Sequence, residues 1–171
     1  AIKTILSEYV EAAEMEEAQA RFKREAQAGG RLQHPGIVAV YEFGTDGEMA
    51  FIVMEYVDGK ELRRILSTGM RYELIEVFEI MKHLLSALDY SHKQGVVHRD
   101  IKPANLMILP GPKVKVMDFG IARLESSQLT QVGTVVGTPS HMSPEQLMGL
   151  PADGRADLWA LGVILYEVIS G

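Results

Sequence analysis

Residues 98–105 read His98-Arg99-Asp100-Ile101-Lys102-Pro103-Ala104-Asn105, and the reading of the whole chain turns on them. Before this stretch lies the longest periodic segment, Tyr72 to Gln94. There Leu74, Val77, Phe78, Met81, Leu84, Leu85 and Leu88 recur at threes and fours, which predicts a helix with that face buried. Gly95 ends it in the manner of a C-terminal glycine. After the stretch come two short apolar runs, Leu106 to Leu109 and Val114 to Met117, parted by Pro110-Gly111-Pro112. They predict a small hairpin, whose second strand delivers Asp118-Phe119-Gly120, thirteen residues after Asn105.

Working outward, Ala1 to Leu6 reads as a strand, and Glu14 to Leu32, free of proline and rich in Ala, Glu, Gln and Arg, as a helix stopped by Pro35 and Gly36. Ile37 to Phe43 and Met49 to Tyr56 read as strands joined by a hairpin turn at Gly44-Thr45-Asp46-Gly47. Asp58-Gly59 turns into a short helix near Glu61 to Leu66. Downstream, Glu125 to Thr138 reads as a loop and Ala156 to Ile169 as a helix apolar nearly all round, hence buried, with Trp159 and Gly162 as packing residues. The order is strand, helix and more strands, then a mostly helical half. That is α+β in two lobes joined near Glu55 to Gly59, with the parts at 1–57 and 58–171.

Bulk properties narrow the function classes. The 171 residues, 47% hydrophobic and 23% charged, suit a folded globular domain. A net charge of -6 argues against nucleic acid as a partner, which needs a basic face. Without cysteine there are no disulfides, thiolate metal sites or thiol nucleophiles, which fits a reducing compartment. The longest apolar run, Leu158 to Tyr166, is too short to cross a bilayer, so no membrane segment is expected within this chain. Ala1 and the apolar end at Val168-Ile169-Ser170-Gly171 read as cuts through a longer chain.

Asp100, Asn105 and Asp118 carry the chemistry. Phosphoryl transfer from ATP needs a carboxylate to accept the proton of an attacking hydroxyl and oxygen ligands to hold magnesium on the phosphates. Asp100 suits the first task, and Asn105 and Asp118 the second. Lys102 can neutralise charge building on the transferred group.

Taken with Ser143-Pro144-Glu145, these residues resemble the signature set of protein kinases, in the right order along the whole chain. Asp-Phe-Gly alone recurs by chance; the eight-residue stretch and the order of the motifs carry the resemblance. Lys102 two places after Asp100, and Gly137-Thr138-Pro139-Ser140-His141-Met142, match the serine/threonine branch. Ile52-Val53-Met54-Glu55-Tyr56-Val57-Asp58-Gly59 resembles the hinge of bacterial eukaryotic-like serine/threonine kinases. The resemblance implies a bilobal protein-kinase-like fold, with a small β-rich N-lobe holding one main helix and a larger helical C-lobe, truncated at both ends. It implies transfer of the ATP γ-phosphate to serine and threonine hydroxyls of protein substrates, with Mg2+ as the ion and Mn2+ as its alternative, in the cytoplasm.

Further roles follow only from that resemblance. Lys3 would hold the α- and β-phosphates and pair with a helix glutamate, best Glu25, although Glu16 and Glu17 share that helix. From local sequence alone Lys3 reads rather as an exposed lysine on a strand edge, and the downstream motifs reverse that reading. Glu55 and Val57 would bond the adenine edge through backbone groups, and Met54 would guard the back of the pocket. Ala1, Met107 and Met117 would pack on the ring faces; the plain reading of the methionines is core filling. Arg99 would receive a phosphate from the loop, with Thr130 and Thr134 as acceptors, while Thr138 would face the substrate and Asp100. Asp157 would brace the catalytic loop, a helix N-cap being the plain alternative, and Glu145 would pair with an arginine of a later helix.

Two features depart from the family pattern. The glycine-rich phosphate loop is absent and would lie before Ala1. Of the apolar stack between lobes, Val40, His98 and Phe119 fill three positions but Gly29 stands at the fourth. A kinase dimer is therefore one expected means of activation. A fragment with these ends is expected to be poorly stable and poorly active. Two other functions fit the motifs less well. A pseudokinase-like binding module would not need the full set Lys3, Asp100, Asn105 and Asp118, and a small-molecule kinase would not need the segment Gly137 to Glu145.

Overall fold

Alternation along Met49–Met54 sets the first layer: Ala50, Ile52 and Met54 point inward and are buried, while Met49, Phe51 and Val53 are half-buried. The computed structural model describes residues 1–5, 30–47, 49–119 and 139–170. Strand β1 (Ile2–Ile5) pairs antiparallel with β3 (Met49–Met54), which pairs antiparallel with β2 (Val40–Asp46), giving the order β1-β3-β2. Lys3 lies opposite Ile52 in that register.

The β2–β3 hairpin differs from the sequence expectation in its bounds. Ile37 stands outside β2 and forms an isolated parallel bridge with Val116, and a bulge falls between Val40 and Glu42. Gly44 and Thr45 are strand residues, and the reversal begins at Gly47. The reason for glycine at 44 is its neighbour. A Cβ there would stand 2.4 Å from the Phe51 ring, which lies across the strand.

The helix predicted to reach Leu32 does not extend over the described end of that range: Gly30 and Arg31 form a turn. Glu16, Glu17, Glu25, Gly29, Thr130, Thr134 and Thr138, with the whole loop Glu125 to Thr138, lie outside the described residues.

The second layer is a three-stranded antiparallel sheet of β4 (Lys60–Glu61), β5 (Leu106–Leu109) and β6 (Lys113–Val116). Helix α1 (Leu62–Leu66) follows β4 directly. Helix α2 (Leu74–Lys93) begins with the Glu73 amide donating to the Glu76 carboxylate at 2.9 Å and ends at Gly95. The short helix α3 (Pro144–Leu147) precedes α4 (Gly154–Ser170).

The large core joins α1, α2, β5, β6 and α4 around Ile80, Leu84, Leu88, Leu106, Val116 and Ile164. Leu32 and Ile37, from the chain before β2, belong to it as well. The smaller core holds Val38, Ala50, Ile52 and Met54 among the described residues.

Periodicity located α2 but misplaced part of its buried stripe. Val77, Ile80, Met81, Leu84, Ala87, Leu88 and Ser91 face the core, whereas Leu74 and Phe78 (each 62% exposed) and Leu85 lie on a neighbouring, open face. Helix α4 is likewise one-sided rather than buried all round: Ala156, Asp157, Ala160, Leu161, Ile164 and Val168 are covered, while Leu158, Trp159, Tyr166 and Ile169 are exposed. Trp159 and Gly162, read as packing residues, lie on the exposed side of α4 among the described residues. No helix among the described residues is long and apolar enough to cross a membrane.

Candidate active site

The loop 98–105 is held from beneath by one carboxylate. Asp157, in the first turn of α4, is buried and accepts hydrogen bonds from the amides of His98 (2.9 Å) and Arg99 (2.7 Å) and from His92 Nε2 (2.8 Å). It lies inside the helix rather than ahead of it, so the N-cap reading does not hold; Asp153 instead accepts the Arg155 amide at 2.9 Å. Close approach of α4 to α2 makes the contact, since a Cβ on Gly154 would stand 2.8 Å from the His92 ring.

Arg99 sits at φ 64, a left-handed conformation costly for a residue with a side chain. The two amide bonds to Asp157 hold it there, helped by Gln146 Nε2, which donates to the Arg99 carbonyl at 2.8 Å. Gln146 is fixed in turn, its Oε1 accepting from the Ser143 amide at 3.0 Å and the Ser143 hydroxyl at 3.2 Å.

The turn at 99 presents Asp100 to solvent. One carboxylate oxygen, Oδ2, accepts from Lys102 Nζ at 2.8 Å and from Asn105 Nδ2 at 3.1 Å. Asn105 Nδ2 also donates to the Asp100 carbonyl at 2.8 Å. Among the described residues no group bonds Oδ1. Asn105 then links the loop to the next motif, as its carbonyl accepts the Met117 amide at 2.8 Å.

His98 fastens the other side. Its Nδ1 accepts from the Asp100 amide at 3.2 Å, which leaves Nε2 to donate to the Met117 carbonyl at 3.0 Å. Its ring lies 4.8 Å from that of Phe119, two members of the expected stack in contact. Asp118, at φ 47, is a second left-handed residue, and its Oδ1 meets Lys3 Nζ at 3.0 Å. The site thus draws Lys3, Asp100, Lys102, Asn105 and Asp118 from two sheets and one loop.

The segment 54–58 forms the wall beside β1. Met54 is buried in the smaller core, and Met117 is half-buried against it. Met107 is half-buried on β5, and Ala1 is exposed, with its carbonyl accepting the Met54 amide at 2.9 Å. The Glu55 amide donates to the Ala39 carbonyl at 2.8 Å, and the Val57 carbonyl accepts the Gly59 amide at 3.1 Å. Among the described residues nothing bonds the Glu55 carbonyl or the Val57 amide, so this edge offers one acceptor and one donor.

The Glu145 carboxylate has no ion pair or hydrogen bond among the described residues; Arg155, which feels its charge, is engaged by Asp153 at 2.9–3.1 Å. His92 and Gln146 were not anticipated from sequence. A capping box at Ser143 and Gln146 was visible there, but not its reach to residue 99.

Compared with known proteins, residues 1–171 match the protein kinase domain family over the full chain. The chain belongs to the protein kinase family. The kinase chain is 48% identical over 159 residues to the probable serine/threonine-protein kinase SCO3848 of Streptomyces coelicolor, covering 89% of this chain and 24% of that protein. It is 47% identical to the serine/threonine-protein kinase PknB of Mycobacterium leprae, covering 88% and 25%. It is also 40% identical to the probable serine/threonine-protein kinase CA_C1728 of Clostridium acetobutylicum, covering 100% and 26%. The chain therefore spans about a quarter of the length of these curated relatives. The two-layer arrangement is the bilobal kinase fold, and the family works with ATP and a divalent metal ion.

The residues present fit such an ion. No cluster of three or more His, Asp and Glu side chains forms a cage among the described residues. Hard cations on nucleotides need only one or two protein oxygens beside the phosphates, and the side-chain oxygens of Asp118 and Asn105 would supply that set.

Proposed function

We propose that this chain is the catalytic core of a serine/threonine protein kinase, which moves the γ-phosphate of ATP to hydroxyls of protein substrates. The reading is carried by the Asp100 carboxylate, with one oxygen held by Lys102 and Asn105 and the other open. The open oxygen accepts the substrate proton, and the held one keeps the carboxylate aimed. Lys102 also faces the phosphoryl group as its charge develops. Lys3 and Asp118 meet where the phosphates would lie, Lys3 to bind their oxygens and Asp118 with Asn105 to hold Mg2+, which neutralises charge on the phosphates. The Glu55 carbonyl and Val57 amide take the adenine edge. Protein serine and threonine as acceptors are supported by the names of the relatives and by Lys102, and the need for ATP points to a reaction where ATP is plentiful, in the cytoplasm.

The test is Asp100→Asn in the whole protein, assayed by radiolabel transfer from ATP to a mixed serine/threonine peptide pool. Turnover should fall by about 10²–10⁴-fold, the share of a general base, with nucleotide affinity retained. Undiminished turnover would remove Asp100 from its role.

A further inference from the structure

Residues 36–39 lie between the two halves of the nucleotide site. On one side the Val116 amide donates to the Gly36 carbonyl at 2.8 Å, and the Val38 amide donates to the Val116 carbonyl at 3.0 Å. On the other side Ala39 bonds Glu55 twice: its carbonyl accepts the Glu55 amide at 2.8 Å, and its amide donates to Glu55 Oε2 at 3.3 Å. The Lys115 side chain spans this strap. Its Nζ meets Glu55 Oε2 at 2.7 Å and the Ile37 carbonyl at 3.5 Å, and only 16% of the lysine and 27% of the glutamate side chain is exposed.

Lys115 precedes Asp118 by three residues on β6, and Glu55 carries the carbonyl assigned to the adenine edge. We infer that the Glu55–Lys115 ion pair is a positioning element for the nucleotide, locking the backbone of residues 55–57 in register with the strand that delivers Asp118. The inference rests on the proposed kinase function.

The physical reason is the number of fixed points. The backbone bond to Ala39 alone would let the Glu55 peptide pivot about that bond. The side chain adds a second anchor on β6, and two anchors fix the direction of the carbonyl. Adenine at one end and phosphates at the other must be met at once, so the spacing between the two sets of groups matters more than either alone. A half-buried ion pair contributes little stability over an apolar pair, and its best-attested use is to fix register. Burial alone would raise the Glu55 carboxyl, but the hydrogen bond from Lys115, the Ala39 amide and the lysine charge hold it below its ordinary value, so the pair is charged.

The experiment uses the whole protein with Mg2+ and a non-hydrolysable ATP analogue, measured by titration calorimetry, alongside thermal melts. The variants are Glu55→Gln, Lys115→Met, the double variant, and Lys115→Arg. Each single neutralising change should weaken the Kd about tenfold, with the double no weaker than the singles, because both remove one coupled interaction. Lys115→Arg should recover most of the affinity. Variants that melt lower but bind the analogue as the wild type does would make the pair merely structural and overturn the inference, as would single losses that simply add. If Lys115→Met fails to fold, the near-isosteric Glu55→Gln decides alone. A wild-type protein that binds no nucleotide would instead defeat the proposed function, and this inference with it.

Discussion

Asp157 shows how much one side chain can organise. Its carboxylate satisfies two amides that no other group meets, and in doing so holds Arg99 in a left-handed turn. Asp157→Ala should cost about 2–4 kcal/mol, since it strands buried donors that had bonded a charged acceptor. Urea denaturation reads the loss, and hydrogen exchange at residues 98 and 99 should quicken beyond the global change. His34 gives a pH-dependent contribution. Its Nδ1 accepts the Gly36 amide at 3.0 Å, its Nε2 lies 3.2 Å from the Ser86 hydroxyl, and its ring stacks on Tyr90. Burial, and then the charge of Lys115, lower its pKa from the ordinary 6.5. Folding thus favours the neutral ring: the contribution is complete above pH 6.5 and is lost as pH falls from there through the folded-state value. Urea midpoints at pH 7.5 and pH 5.5 (about one unit either side of that reference) should differ more for the wild type than for His34→Gln.

Helices and strands were legible where one local rule sufficed. The hairpin β5–β6 and the end of α2 at Gly95 follow from turn residues, and the contacts inside residues 98–105 are local, because Lys102 and Asn105 both bond Asp100 within five positions. The braces were not legible, because they act across the chain: His92 reaches Asp157 over 65 positions, and Gln146 reaches Arg99 over 47. The buried stripe of α2 failed in part for a similar reason. Its helix carries two adjacent apolar faces, and only the packing of β6 and α4 decides which is covered. Gly44 shows a local rule overruled by a cross-strand neighbour, being read as a turn residue when it makes room for Phe51. Gly44→Val should therefore destabilise by about 1–3 kcal/mol through overpacking, and Phe51→Ala should relieve much of that in the double variant. Chemical denaturation of the four proteins checks it.

Across the whole molecule, neighbouring residues belong to different cores: Ile37 to the helical one and Val38 to that of the first sheet. Ile37→Ala, at 1% exposure, should cost about 2–5 kcal/mol in urea, a loss to the larger core although the residue precedes β2. The same crossing bears on motion. A body joined to another at two places keeps one easy freedom, rotation about the line through them. Among the described residues the two backbone connections are the strap at Val38 and the covalent passage at Glu55, like two knuckles on one door. The first sheet should then swing over the helices rather than slide across them, carrying Lys3 along an arc towards and away from Asp118. One distance, between those two side chains, would report how far the door stands open.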